Sequence, residues 1–135
     1  MGMLIPKDAK RIAEAVFVCA ICEGEAAHLK LFVPSKSSDE AQGDKSGGFL
    51  RVSGFLGEIE MLVSGPGIGQ LQTYIEQKRA QEMHELYLKY APCFCLQCEK
   101  AYCLDHWQTS LVFDDGYYDC TDGVCPEGHA QMLDD

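Results

Sequence analysis

Four short pairs of metal-ligating residues constrain this 135-residue chain more than any other feature. They are Cys19-x2-Cys22, Cys95-x2-Cys98, Cys103-x2-His106 and Cys125-x3-His129. A tetrahedral zinc ion takes four sulfur or nitrogen ligands, and two residues three apart on a tight turn can aim both side chains at one ion. The last pair has a different spacing, four residues, which puts two side chains on one face of a helical turn. Pro126 suits the first position of a helix, so the spacing predicts that Cys125 opens a short helix and His129 lies one turn on. One such pair is weak evidence, because a buried cysteine or a thiol redox couple explains it as well. Four pairs supply eight ligands, enough for two complete tetrahedra, and two zinc ions per chain are expected.

Two pairings are open. Sequential pairing joins Cys19, Cys22, Cys95 and Cys98 on one ion, and Cys103, His106, Cys125 and His129 on the other. Crossed pairing joins the first pair with the third and the second with the fourth. Only four residues separate Cys98 from Cys103, and so short a link can pass between two ions and carry ligands for each, which favours the crossed form. Cys93 and Cys120 are left over. Each reads first as a small buried apolar residue, with Cys93 in place of Cys95, or Cys120 in place of Cys125, as the alternative. His28 alternates with strand residues and reads as a satisfied structural histidine. His84 falls opposite the apolar face of its helix and is expected in solvent.

The charge is unevenly distributed. The chain carries 21 acidic and 11 basic side chains, net -10. From residue 93 onward Lys100 stands alone against nine carboxylates. Nucleic acids and anionic membranes are bound mainly through Lys and Arg, so both are disfavoured as partners. A protein partner with a basic surface is the expectation. The first residues, MGMLIPKDAK, lack the long apolar core of an export signal, and no apolar run is long enough to span a bilayer. A cytoplasmic location follows as the expectation, and in a reducing compartment cysteines serve as ligands or catalytic groups more often than as disulfides.

The coarse secondary structure is α+β: a small antiparallel sheet, one main helix, and a zinc-stapled C-terminal region. Asp8 to Phe17 can open as a short helix, but Ala15 to Ile21 reads better as a strand. His28 to Val33 alternates like a second strand. Residues 35–48 read as a polar loop. Phe49 to Val52 and Phe55 to Val63 read as two more strands, ended by a turn at Gly65-Pro66-Gly67. Leu71, Tyr74, Ile75, Met83, Leu86, Tyr87 and Tyr90 mark one apolar helical face, and Pro92 ends that helix. Asp115-Gly116 reads as the turn of a hairpin between Leu111–Phe113 and Tyr117-Tyr118. A short tail follows His129. The whole is expected to be one zinc-stabilised domain over 1–135, with the sheet, the helix and the first cysteine pair in 1–92 and the Cys/His-rich finger in 93–135.

The segment Cys95-Leu-Gln-Cys98-Glu-Lys-Ala-Tyr102-Cys103-Leu-Asp-His106-Trp107 resembles the centre of cross-brace zinc fingers of the MYND and B-box types. Those are protein-interaction modules, and the resemblance implies crossed pairing. Cys125-x3-His129 with a short helix is similar to treble-clef fingers. The stretch from Tyr102 to the C-terminus also resembles a family of small bacterial zinc-binding proteins to which no activity is assigned.

Catalytic chemistry finds little support. A catalytic zinc keeps a position open for water, whereas eight ligands close two shells. HExxH is absent, and no His-x-Glu precedes Pro92-Cys93 as in zinc deaminases. Gly65-Pro-Gly67-Ile-Gly69 lacks both the third glycine of a dinucleotide loop and the Gly-Lys-Ser/Thr of a P-loop. Asp114, Asp115, Asp119 and Asp122 do not follow calcium-loop spacing. Trp107 reads as a cap over the metal region. The sequence thus points to a non-catalytic protein-interaction adaptor. A RING-like ubiquitin-ligase component and a thiol redox or metal-buffering protein are the alternatives.

Overall fold

The computed structural model describes Ile5 and residues 7–34, 47–55 and 57–134. Its first layer is an antiparallel meander in the order β1-β2-β3-β4. The strands are β1 (Lys10–Val18), β2 (Glu25–Val33), β3 (Gly48–Ser53) and β4 (Ile59–Val63). Alternation explains it. Ala13, Ala15 and Phe17 point inward from β1 and lie opposite Leu31, Leu29 and Ala27 of β2. Leu50 and Val52 of β3 continue the same buried face. That period of two is a strand signature; it excludes the short helix that Asp8 to Phe17 could open, and the strand preferred from Ala15 begins earlier, at Lys10. The polar stretch read as a loop falls, over residues 35–46, outside the described residues.

Two helices cover the inner face. α1 (Gly65–Glu76) packs Leu71 and Ile75 into the core, and α2 (Ala80–Leu86) contributes Ala80 and Met83. The Gly65-Pro66-Gly67 segment, expected as a turn, is already the first turn of α1, with Pro66 where a missing N–H costs nothing. The single long helix expected through Tyr90 is broken. Lys78 adopts a left-handed φ of 55°. Its N–H donates to Ile75 O (3.0 Å), and the N–H of Arg79 donates to Tyr74 O (2.8 Å). That is a Schellman cap with lysine where glycine usually sits. The customary apolar contact across the cap is replaced by the Arg79 guanidinium over the Tyr74 ring, 5.6 Å from its centroid. A 3-10 turn, Leu88–Tyr90, follows α2.

The remainder is the Cys/His-rich region. It comprises a minimal hairpin, β5 (Phe94–Cys95) with β6 (Lys100–Ala101), and a three-stranded sheet in the order β7 (Gln108–Asp114), β8 (Tyr117–Val124), β9 (Ala130–Asp134). The β7–β8 turn is the expected Asp115-Gly116, both at positive φ. The core runs unbroken from the first sheet and α1 through Cys93, Phe94, Cys95, Tyr102 and Trp107 to Leu133. No helix among the described residues is long and apolar enough to cross a membrane.

Candidate metal centres

Three tight turns present most of the ligands. In the first, the N–H of Glu23 donates to Cys19 O (2.9 Å) and the N–H of Cys19 to Gly24 O (2.8 Å). In the second, the N–H of Glu99 donates to Cys95 O (2.8 Å). Glu23 and Glu99, each directly after the second cysteine of its pair, both take left-handed φ, 62° and 59°. The third turn joins β8 to β9. The N–H of Cys125 donates to His129 O and that of Gly128 to Cys125 O, both at 2.9 Å, with Gly128 at φ 93°. Cys125 therefore opens a hairpin turn, and the short helix expected there is absent. β9 occupies the stretch read as a tail, and Gly128 supplies the positive φ that reverses the chain.

These turns aim amide hydrogens at sulfur. The N–H groups of Ile21 and Gly24 donate to Cys19 Sγ and Cys22 Sγ, each at 3.4 Å. That of Cys98 donates to Cys95 Sγ (3.4 Å), and those of Glu127 and His129 donate to Cys125 Sγ (3.3 and 3.4 Å). Such donors favour thiolate over thiol.

All eight expected ligands come together, in two sets of three cysteines and one histidine. Cys19, Cys22, Cys103 and His106 form one; Cys95, Cys98, Cys125 and His129 form the other. The pairs are thus crossed. One backbone bond shows how the crossing arises: the N–H of Ala20 donates to Ala101 O (2.9 Å), seating the first turn against β6, two residues before Cys103. The link from Cys98 to Cys103 then passes between the two sets.

The spacing within each set can be tested against a tetrahedron. Sulfur at 2.3 Å and nitrogen at 2.0–2.1 Å from one ion lie about 3.8 Å apart sulfur to sulfur and about 3.6 Å sulfur to nitrogen. Cys22 Sγ to Cys103 Sγ is 3.7 Å, and Cys98 Sγ to Cys125 Sγ is 3.7 Å. His106 Nδ1 lies 3.5 Å from Cys19 Sγ and 3.2 Å from Cys103 Sγ. His129 Nδ1 lies 3.8, 3.3 and 3.5 Å from the sulfurs of Cys95, Cys98 and Cys125. Both histidines offer Nδ1, which leaves Nε2 to carry the ring proton. Each set can hold a metal ion.

A family model spans residues 9–135 and is described as Domain of unknown function (DUF8328). The chain belongs to that family. No curated protein and no solved structure matches it.

Each set contains one thiol that ionises easily and one that resists. Burial works to raise the Cys19 thiol, but the amides of Cys103, Cys22 and Ile21 outweigh it and bring it down to about 6. In the second set burial is likewise overcome at Cys125 by the amides of His129 and Glu127, which bring it down to about 7. Burial pushes Cys103 and Cys95 up to about 11. An entering cation must therefore displace protons.

The leftover cysteines stay out of both sets. Cys93 is fully buried, and burial pushes its thiol up to about 12. Cys120 is buried in β8, with its Sγ 3.8 Å from Asp122 Oδ1. His28 is a structural histidine hydrogen-bonded to Glu14 across β1 and β2. His84 departs from expectation: its Nε2 is buried without a hydrogen-bond partner, and burial lowers its pKa. The Schellman break explains this, since α2 does not continue the phase of α1. Trp107 is 4% exposed, donates from Nε1 to Tyr102 O (3.2 Å) and meets the Tyr102 ring edge-on. The turn residues Glu23, Gly24, Glu99 and Gly128 carry no signal of their own in the sequence; their position beside a ligand residue is what points to them.

Proposed function

We propose that this chain is a zinc-stapled protein-interaction module with no catalytic activity of its own. The observation that carries the reading is the pair of four-donor sets at tetrahedral spacing, each with three thiol sulfurs. Soft sulfur with imidazole in a tetrahedron suits zinc. Four protein donors fill the shell, so a water needed for hydrolysis has no place on the ion. The first set ties the β1–β2 turn to the segment after β6. The second closes the β5–β6 hairpin onto the β8–β9 turn. Zinc supplies rigidity here, and recognition falls to the surfaces that it holds in place. Thiols kept reduced in the cytoplasm remain available as ligands.

The test is metal content and coordination. Purified without chelators, the chain should carry two zinc ions. Cobalt substitution should give the visible bands of tetrahedral thiolate coordination at both sites, unchanged by added cyanide or imidazole. One ion or none overturns the metal assignment. A cobalt spectrum that shifts with the added ligand reveals an open coordination position and overturns the non-catalytic reading.

A further inference from the structure

β7 is the outer strand of its sheet, and none of its seven residues is buried. It contains no proline and no lysine, the usual guards of an edge strand. The opposite edge of the same sheet is tied down. On β9, Gln131 Nε2 donates to Phe94 O (2.7 Å), Gln131 Oε1 accepts from the N–H of Leu96 (3.1 Å), and Asp134 pairs with Lys89 at 3.5 Å.

The two faces of β7 differ. Thr109, Leu111 and Phe113 share one face, with Leu111 62% and Phe113 58% exposed. Tyr118, paired with Phe113 in the register, extends this apolar face and meets its ring edge-on. The other face carries Ser110, Val112 and Asp114, with Asp122 directly across from Ser110. Residues 101–135 contain no Lys or Arg, and a metal ion in a set of three thiolates leaves each site formally negative. A second copy of the chain on this edge would set acid against acid. Charge complementarity selects a basic occupant.

We propose that the outer edge of β7 takes an extended segment of a partner protein as an added strand. The apolar residues of that segment lie beside Leu111 and Phe113, and its Lys or Arg residues lie beside Asp114 and reach across Ser110 toward Asp122. Main-chain hydrogen bonds hold such a strand, and alternate side chains give it specificity. The inference rests on the interaction-module reading and names the surface and the partner's chemistry.

The probe is the peptide Lys-Val-Lys-Val-Lys-Val-Lys, titrated into the full chain with both sites filled, with a Glu-for-Lys peptide beside it. Expected are amide NMR shifts concentrated in residues 108–114, binding weakened roughly fivefold or more between 0.05 and 0.5 M salt, and no binding of the acidic peptide. Leu111→Lys and Asp114→Asn should each weaken binding about tenfold while metal content stays at two ions. If a variant fails to fold, the salt series and the acidic peptide still decide. Shifts centred elsewhere, equal binding of both peptides, no binding at about 1 mM peptide, or a chain already dimeric through β7 overturns the inference. Those results leave the metal assignment standing, because metal content is measured independently; chains that carry no zinc refute that assignment instead.

Discussion

Cys22→Ser isolates ligation from packing. Cys22 is the only exposed cysteine among the described residues, so its replacement opens no core cavity and changes one donor. Ligand binding stabilises the folded state by RT ln(1 + [L]/Kd), about 4.1 kcal/mol when the free ion stands at a thousand times its Kd. A chain of this length unfolds with an entropy of roughly 280 cal/mol/K near its midpoint, so losing that term lowers Tm by roughly 14 °C. The crossed arrangement adds a sharper requirement. Cys22→Ser combined with His106→Asn should lose one ion and little more stability than either change alone, because both act on one site. Cys22→Ser combined with Cys98→Ser should lose both ions, with costs that nearly add. Elemental analysis and calorimetry on the single and double variants read both quantities. If Cys22 and Cys98 prove non-additive, or if Cys22→Ser keeps two ions, the crossed assignment is wrong.

Four further outcomes follow from the same geometry. Cys93→Ala should keep both ions although Cys93 is as buried as Cys95, whereas Cys95→Ala should lose one; metal counting separates them. Gly123→Ala should cost about 1–3 kcal/mol by overpacking, because a Cβ there would lie 2.5 Å from Leu133 Cδ1 and 3.0 Å from Trp107 Cε3; a denaturant titration measures it. Metal affinity should fall as pH falls. Cys103 and Cys95, raised to about 11, surrender protons to the ion at any neutral pH, and Cys19 and Cys125, at about 6 and 7, add to the release below those values. Affinity should therefore drop about tenfold per pH unit for each proton displaced, measured by competition with a chromophoric chelator at pH 8, 7 and 6. Chelation should release the amides of β7–β9 to fast hydrogen exchange before those of β2 and β3; simultaneous loss of protection refutes it.

The eight side chains that come together were legible because a metal site is unforgiving about residue type and spacing. The crossed pairing was favoured but not fixed by the sequence: the four residues between Cys98 and Cys103 can pass between two ions and carry ligands for each, and they do not exclude the sequential form. The second and third strands of the first sheet were legible from alternation, whereas β1 begins at Lys10, five residues before the strand that the sequence suggests from Ala15. What escaped depended on backbone conformations that the residues do not advertise. Lys78 takes the left-handed conformation at a helix cap where glycine or asparagine would have announced it, so the spacing predicts a continuous helix and, with it, a solvent-facing His84. At Cys125 the two signals conflicted: Pro126 suits a helix start and Gly128 suits a reversal. The reversal prevails because the bond between the N–H of Cys125 and His129 O closes a hairpin that β9 can join.

The distribution of buried side chains shows which half of this fold a bound metal would stabilise most. The first sheet and α1 bury Leu29, Leu31, Leu50, Leu71 and Ile75 at 1% exposure or less, a conventional core whose burial contributes about 1.5–3 kcal/mol per large side chain. The C-terminal sheet has no equivalent. β7 buries nothing, β8 buries only Cys120, Thr121 and Gly123, and β9 only Leu133. A metal ion in the second set would hold this sheet from outside, by joining the turn between β8 and β9 to the β5–β6 hairpin. An element held this way can leave an entire strand uncovered, since its stability does not depend on burying that strand. A metal in the second set and the open edge of β7 would then belong together: a sheet stapled at one end is free to present the other.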